Sequence, residues 1–241
     1  MTGETYLAAD EVTKRYGDVT AVSAVSLDVP FDAVTGLIGP NGSGKTTLLR
    51  VLLGVEGPTS GTVSYAGPAA QRRLGYLPQR PAFRPGFTVR ETAAFYADLV
   101  DDDPDRLLER VGLEDVATRP VSGLSGGMTR LLGIAQALAG DPPVVMLDEP
   151  ASGLDPAMSR HIFDVIASIA DDGRAVVLCS HELLLVEETA DRVAVLESGR
   201  LVRTGTVDAL RDQAGGPLYE TFTSLLEQDS AAIAAPEGSQ S

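Results

Sequence analysis

Apolar and polar residues alternate over 5–12 and 21–29, the two-residue period of half-buried strands, and Gly17-Asp18 between them marks a turn. At 34–38 the alternation gives way to a short, mostly apolar run that stops at Gly39, the pattern of a buried strand. Residues 46–53 then read as helix, and 61–65 and 74–77 as strands. From about 80 to 138 the period lengthens: 89–99, 105–111 and 125–139 carry apolar residues three and four apart, as helices do. Strand patterns return at 144–147 and 175–179 around a helical stretch at 156–170, and 192–202 reads as a hairpin turning at Ser198-Gly199. Strand–helix alternation interrupted by a helical block predicts an α/β core with an α-helical insertion. No internal repeat is visible. Residues 230–241 are rich in Ala, Ser, Gly and Pro and are expected to form a flexible tail.

Length and charge narrow the picture. At 241 residues, with 44% hydrophobic and 5% aromatic, the chain can fill one large domain whose core rests on aliphatic side chains. The longest strongly apolar runs fall far short of the ~20 residues of a membrane helix. The first residues lack the basic and apolar segments of a signal peptide, and the lone Cys179 cannot form an internal disulfide, so a reducing cytoplasm is expected. The net charge is -15, and Lys14 and Lys45 are the only lysines. Two readings are open: an acidic face for a cationic partner, or a solvated surface that stays soluble in concentrated salt. The even spread of the acids favours the second. No run of Lys or Arg exists, so nucleic acid is not expected as a partner. Asp141-Pro-Pro reads as a plain loop, and Cys179 as a small buried strand residue.

One motif carries chemistry. Gly39-Pro40-Asn41-Gly42-Ser43-Gly44-Lys45-Thr46, followed by Thr47, matches G-x-x-x-x-G-K-[ST] and stands between a strand and a helix. Glycines let backbone N–H groups turn inward around phosphate oxygens, Lys45 adds a cation, and the Thr46 hydroxyl suits Mg²⁺. Roughly 0.003 such matches are expected by chance at this composition, so a plain glycine turn is excluded. A second apolar strand ends in Asp148-Glu149. An acidic pair there could be a helix cap. Beside a phosphate loop, Asp148 reads instead as a metal-binding carboxylate and Glu149 as the general base for an attacking water.

With these motifs in order, the chain from Tyr6 to about Gln213 resembles the ATP-binding subunit of ABC transporters. The resemblance implies a P-loop NTPase core with a mainly parallel sheet, an N-terminal antiparallel β part and an inserted α-helical subdomain. It implies one such domain over 1–213, with the core at 1–79 and 136–213 and the helical part at about 80–135. Its residues carry over one by one. Tyr16, in Lys-Arg-Tyr-Gly-Asp, matches the aromatic that stacks on adenine. Gln79, in Gly-Tyr-Leu-Pro-Gln, matches the glutamine that contacts Mg²⁺. Ser125, Gly126, Gly127 and Met128 match the signature that closes on the nucleotide of the opposite subunit. Asp155, in Ala-Ser-Gly-Leu-Asp, matches the loop at the dimer interface, and His181 the histidine that contacts the γ-phosphate. Met128 replaces the usual signature Gln, which removes a side-chain amide near the nucleotide sugar.

The implied cofactors are ATP and Mg²⁺. The implied partners are a second copy or paired ATPase subunit and transmembrane permease subunits, with residues 79–91, including Phe83 and Phe87, as the docking segment. That places the chain in the cytoplasm, on the inner face of the membrane. The Met-bearing signature resembles export-type and ABC-2-like subunits, including those of copper-site maturation for nitrous oxide reductase. Residues 214–229, with Pro217-Leu-Tyr-Glu-Thr-Phe, resemble the short terminal helix of ABC-2-type subunits. A soluble ATPase of cofactor assembly and an importer subunit remain as alternatives.

Overall fold

The computed structural model describes residues 5–217 and Tyr219. Strands β1 (Thr5–Tyr16) and β2 (Val19–Pro30) form the hairpin that their alternation predicts. β3 (Ala33–Ile38) leaves this hairpin for a second sheet, while β4 (Ser60–Tyr65) pairs with β1 to give a three-stranded antiparallel sheet ordered β2-β1-β4. The second sheet adds β5 (Leu74–Leu77), β6 (Val144–Asp148), β7 (Ala175–Cys179), β8 (Arg192–Glu197) and β9 (Arg200–Thr206), in the order β5-β6-β7-β3-β8-β9. All its pairings are parallel except β8 with β9, which is the hairpin expected around Ser198-Gly199.

The central strands are buried on both faces, so their residues sort by parity. Val145, Leu147, Val176 and Leu178 enter one core; Val144, Met146, Val177 and Cys179 enter the other. This is the two-residue period of a strand operating without any polar face. The second core is closed by the antiparallel sheet and by α1 (Lys45–Leu52). The first is closed by α2 (Val89–Ala97), α3 (Pro104–Glu109), α4 (Gly126–Leu138) and α5 (Pro156–Asp171), with later contributions from α6 (Leu183–Thr189) and α7 (Val207–Ala214). Each fully buried Leu here, such as Leu147 or Leu178, contributes about 1.5–3 kcal/mol.

Local chemistry sets the helix ends. Thr88 and Glu91 cap each other at the start of α2, Asp103 with Pro104 opens α3, and Ser125 caps α4. Close approach joins insertion and core. A Cβ on Gly75 would lie 2.1 Å from the Ala137 carbonyl oxygen, and one on Gly133 would lie 2.5 Å from Leu77. Facing glycines therefore let α4 lie against β5. The expected boundary at 135/136 falls inside α4, because this helix starts in the insertion and finishes on the core strand.

Two elements have no counterpart in the sequence reading. α6 has only seven residues and no side-chain cap, and α7 is a short helix begun by the Thr206 hydroxyl. Asp141 also departs from expectation. Its carboxylate accepts from Arg174 and, at 3.2 Å, from Arg110 of the insertion, while Asp172 accepts from the same two arginines at 2.9 and 3.1 Å. Partial burial pushes the Asp141 pKa upward, but Arg174 and Arg110 together hold it below its ordinary value. The segment before β6 is thus an ionic junction between insertion and core rather than a plain loop. Cys179 is fully buried, as expected, and burial pushes its thiol well up. Gly215, at φ 71, ends α7, and apart from the first few positions the expected terminal helix at 214–229 and the tail at 230–241 lie outside the described residues.

Candidate functional site

The chain turns sharply after β3 because only glycine fits. Gly39, Gly42 and Gly44 adopt φ of 157, 82 and 103. A Cβ on Gly39 would sit 2.1 Å from the Leu196 carbonyl oxygen, and one on Gly44 would sit 2.3 Å from that of Ala21. The loop is therefore pressed between β2 and the β8–β9 hairpin, whose Gly199 N–H donates to the Ser43 carbonyl at 2.9 Å. Lys45 opens α1 and is buried; its ammonium donates to the Gly39 and Pro40 carbonyls at 2.7 and 3.1 Å. The buried Ser43 hydroxyl has no hydrogen-bond partner. An orphaned donor inside a glycine cradle, with a buried cation beside it, fits phosphate oxygens.

β6 delivers the carboxylates. Asp148 is 1% exposed and accepts from the Thr46 hydroxyl at 3.2 Å. Burial pushes its pKa up, against the pull of Thr46 and Lys45. A buried carboxylate with one hydroxyl partner suits a divalent cation, which would favour its charged form. Among the described residues no group of three or more His, Cys, Asp or Glu is arranged to hold a metal alone. Thr46 and Asp148, with Gln79 on the same cleft and phosphate oxygens, are the ligands that remain, a combination that Mg²⁺ accepts.

Glu149 follows in a left-handed conformation, φ 52, which is costly for a residue with a side chain. Its N–H donates to the Cys179 carbonyl at 2.9 Å, so β7 fixes this turn. Its carboxylate is buried at 6% exposure and accepts from His181 Nδ1 at 2.7 Å. His181 stands just beyond β7, and its side chain is half exposed.

These groups meet in a polar cleft of about 280 Å³ lined by Asn41, Gly42, Gly44, Lys45, Thr46 and Thr47 of the loop, with Ala21, Gln79 and Glu149. Asp148 is joined to it through Thr46, and His181 through Glu149. Tyr16 is half exposed at the end of β1, where its hydroxyl donates to Glu56 and the Lys14 ammonium lies 5.1 Å from its ring. Ser125, Gly126, Gly127 and Met128 lie at the start of α4, and Asp155 caps α5 by accepting from the Met158 N–H at 3.0 Å. None of these six residues lines the cleft of their own chain.

A family model described as ABC transporter matches residues 22–152, a span that includes both the phosphate loop and the acidic pair. The chain belongs to the ABC transporter family, as an ATPase subunit. It is 37% identical over 234 residues to the Nod factor export ATP-binding protein I of Paraburkholderia xenovorans strain LB400, spanning 91% of this chain and 77% of that protein. With the daunorubicin resistance ATP-binding protein DrrA3 of Streptomyces coeruleorubidus it shares 34% over 245 residues, 96% of this chain and 78% of that one. A solved ATP-binding subunit of an ABC transporter superposes with a TM-score of 0.81 at 26% identity, covering 92% of this chain and all of that one. The fold class expected from the resemblance is the fold found, and no described helix is long and apolar enough to cross a membrane.

The geometry adds two residues to those the sequence singled out in this ABC ATPase. Ala21 lines the cleft through the backbone position that packs against Gly44. Arg130, on α4, donates to the Gln79 carbonyl; burial lowers its pKa, while the charges of Glu149 and Asp148 act the other way.

Proposed function

We propose that this ABC ATPase hydrolyses Mg²⁺-ATP between two copies of itself and drives a separate transmembrane permease of the export type. The observation that carries the reading is the Glu149–His181 pair standing over the same cleft as the phosphate loop. The loop N–H groups and Lys45 hold the β- and γ-phosphates, and Tyr16 supplies an exposed ring for adenine. Thr46, Asp148 and the Gln79 side chain would hold Mg²⁺, which would supply charge neutralisation on the phosphates. Glu149 accepts a proton from the attacking water, which adds to the γ-phosphorus while the bond to the β-phosphate oxygen breaks. His181 orients the Glu149 carboxylate through its Nδ1 and reaches the γ-phosphate with its other ring nitrogen.

Ser125, Gly126, Gly127, Met128 and Asp155 lie outside the cleft of their own chain, which supports a second copy as their site of action. The names of the similar exporters support the direction of transport. Replacing Glu149 with Gln keeps size but removes the base, so turnover should fall about 10²-fold or more with ATP still bound. Wild-type turnover in Glu149→Gln would remove this residue from the base role.

For the permease, Phe87 is a cleaner probe than Phe83. Phe83 packs against the core, whereas Phe87 lies under Arg84 at 4.9 Å, at a small cavity shared with Thr92, Phe95 and Tyr96. Phe87→Ala should leave turnover of the isolated chain within about twofold while weakening co-purification with the permease. Full recovery of the permease would place the docking surface elsewhere.

A further inference from the structure

Tyr16 is the last residue of β1, at a hairpin tip that turns on Gly17 at φ 57, and it is 45% exposed. A ring in such a place samples several rotamers unless its far end is held. Here it is held. Its hydroxyl donates to the Glu56 carboxylate, and the Lys14 ammonium lies over one ring face, 5.1 Å from the centroid. That ammonium is fixed in turn by the Gly57 carbonyl at 2.9 Å and by Glu56 at 3.4 Å, while Arg50 approaches the other Glu56 oxygen at 3.6 Å. The Tyr16–Glu56 bond is the largest influence on both groups: it lowers the Glu56 pKa and raises that of Tyr16. Thr47 and Arg50, both on α1, act on the Tyr16 hydroxyl in the opposite sense.

Glu56 is tied to the phosphate loop through the same helix. α1 opens at Lys45, and the Glu56 N–H returns to the Arg50 carbonyl at 3.2 Å. The helix is thus a stiff spacer with the phosphate cation at its start and the acceptor for Tyr16 just past its end. We propose that Glu56 is a positioning residue for nucleotide: it anchors Tyr16 by the hydroxyl at a set span from the phosphate loop, so that the ring face away from Lys14 meets the base. The inference rests on the adenine role proposed for Tyr16. Stacking uses the plane of the ring, and a ring already held gives up little rotamer freedom when the base arrives. A phenol donating to a carboxylate is a charge-assisted bond, the stronger kind, and suits this purpose at a surface.

Titration calorimetry on the full chain tests this with two probes, Mg²⁺-ATP and Mg²⁺-tripolyphosphate, which has the phosphates and no base. Glu56→Ala should weaken ATP binding about three- to tenfold and leave tripolyphosphate within about twofold. Glu56→Gln keeps an acceptor for the hydroxyl and should restore ATP affinity to within about twofold of the unmodified chain. In a Tyr16→Phe chain, which keeps the ring and loses the hydroxyl, Glu56→Ala should add less than about twofold. Undiminished ATP affinity in Glu56→Ala, equal losses for both probes, no recovery in Glu56→Gln, or the full loss repeated in the Tyr16→Phe chain would each overturn the anchor. Tyr16→Ala keeps the two claims apart. A loss of about tenfold for ATP alone in that variant, with none in Glu56→Ala, removes the anchor and leaves the adenine role standing. Full ATP affinity in Tyr16→Ala removes the adenine role, and the anchor with it.

Discussion

The phosphate-loop half of the molecule and the signature half solve different problems. Lys45 is buried at the start of α1, Asp148 and Glu149 are buried at the end of β6, a strand buried on both faces, and each already has a protein partner. Ser125, Gly126 and Asp155 stand at helix starts on the surface, held by their own caps. The first half is a finished site whose geometry the core enforces. The second presents groups outward, and their chemistry requires something to be brought to them. Under the proposed function the difference makes binding and hydrolysis separable: one chain would hold nucleotide, and a pair would complete the site.

That contrast can be broken from either side. The largest effect after loss of the base should come from the buried half. Lys45→Ala removes a charge-assisted contact to phosphate, so ATP affinity of the isolated chain should weaken about 10- to 100-fold by titration calorimetry. Undiminished affinity would contradict the phosphate-site reading. From the outward half, Ser125→Ala should leave that affinity within about twofold while turnover drops about tenfold, because the contact is made only across the pair. Equal losses of affinity and turnover would mean that Ser125 serves its own chain. The smallest effect is global. With a net charge of -15, screening should relieve repulsion between the acids and raise Tm by a few degrees between dilute buffer and molar KCl. Ion pairs such as Arg174–Asp172 work in the opposite direction, so a flat or falling curve would show that they dominate.

How much was legible in the sequence follows the same division. The phosphate loop and Asp148-Glu149 were readable because glycines at fixed spacing and carboxylates at the end of an apolar run have few other uses. The strands of both sheets were legible from local pattern, β1 and β2 from alternation and β3 from a short apolar run bounded by glycine. α6 and α7 escaped because α6 opens on a continuous apolar run, Leu183-Leu184-Leu185-Val186, that carries no helical period, and α7 offers only Val207 and Leu210 on an apolar face. Asp141 escaped because its partners, Arg110 and Arg174, are 31 and 33 positions away, and pairing at that distance leaves no local pattern. Arg130 escaped for a similar reason: its acceptor is a backbone carbonyl 51 residues distant, which any residue type supplies.

The pairing of two chains around nucleotide is the central claim, and the mass of the Glu149→Gln chain tests it most directly. Light scattering on that chain should report one-chain mass without nucleotide or with ADP, and two-chain mass with Mg²⁺-ATP, because hydrolysis no longer removes the γ-phosphate contacts that bridge the halves. One-chain mass in a sample shown to be saturated with ATP would contradict the account.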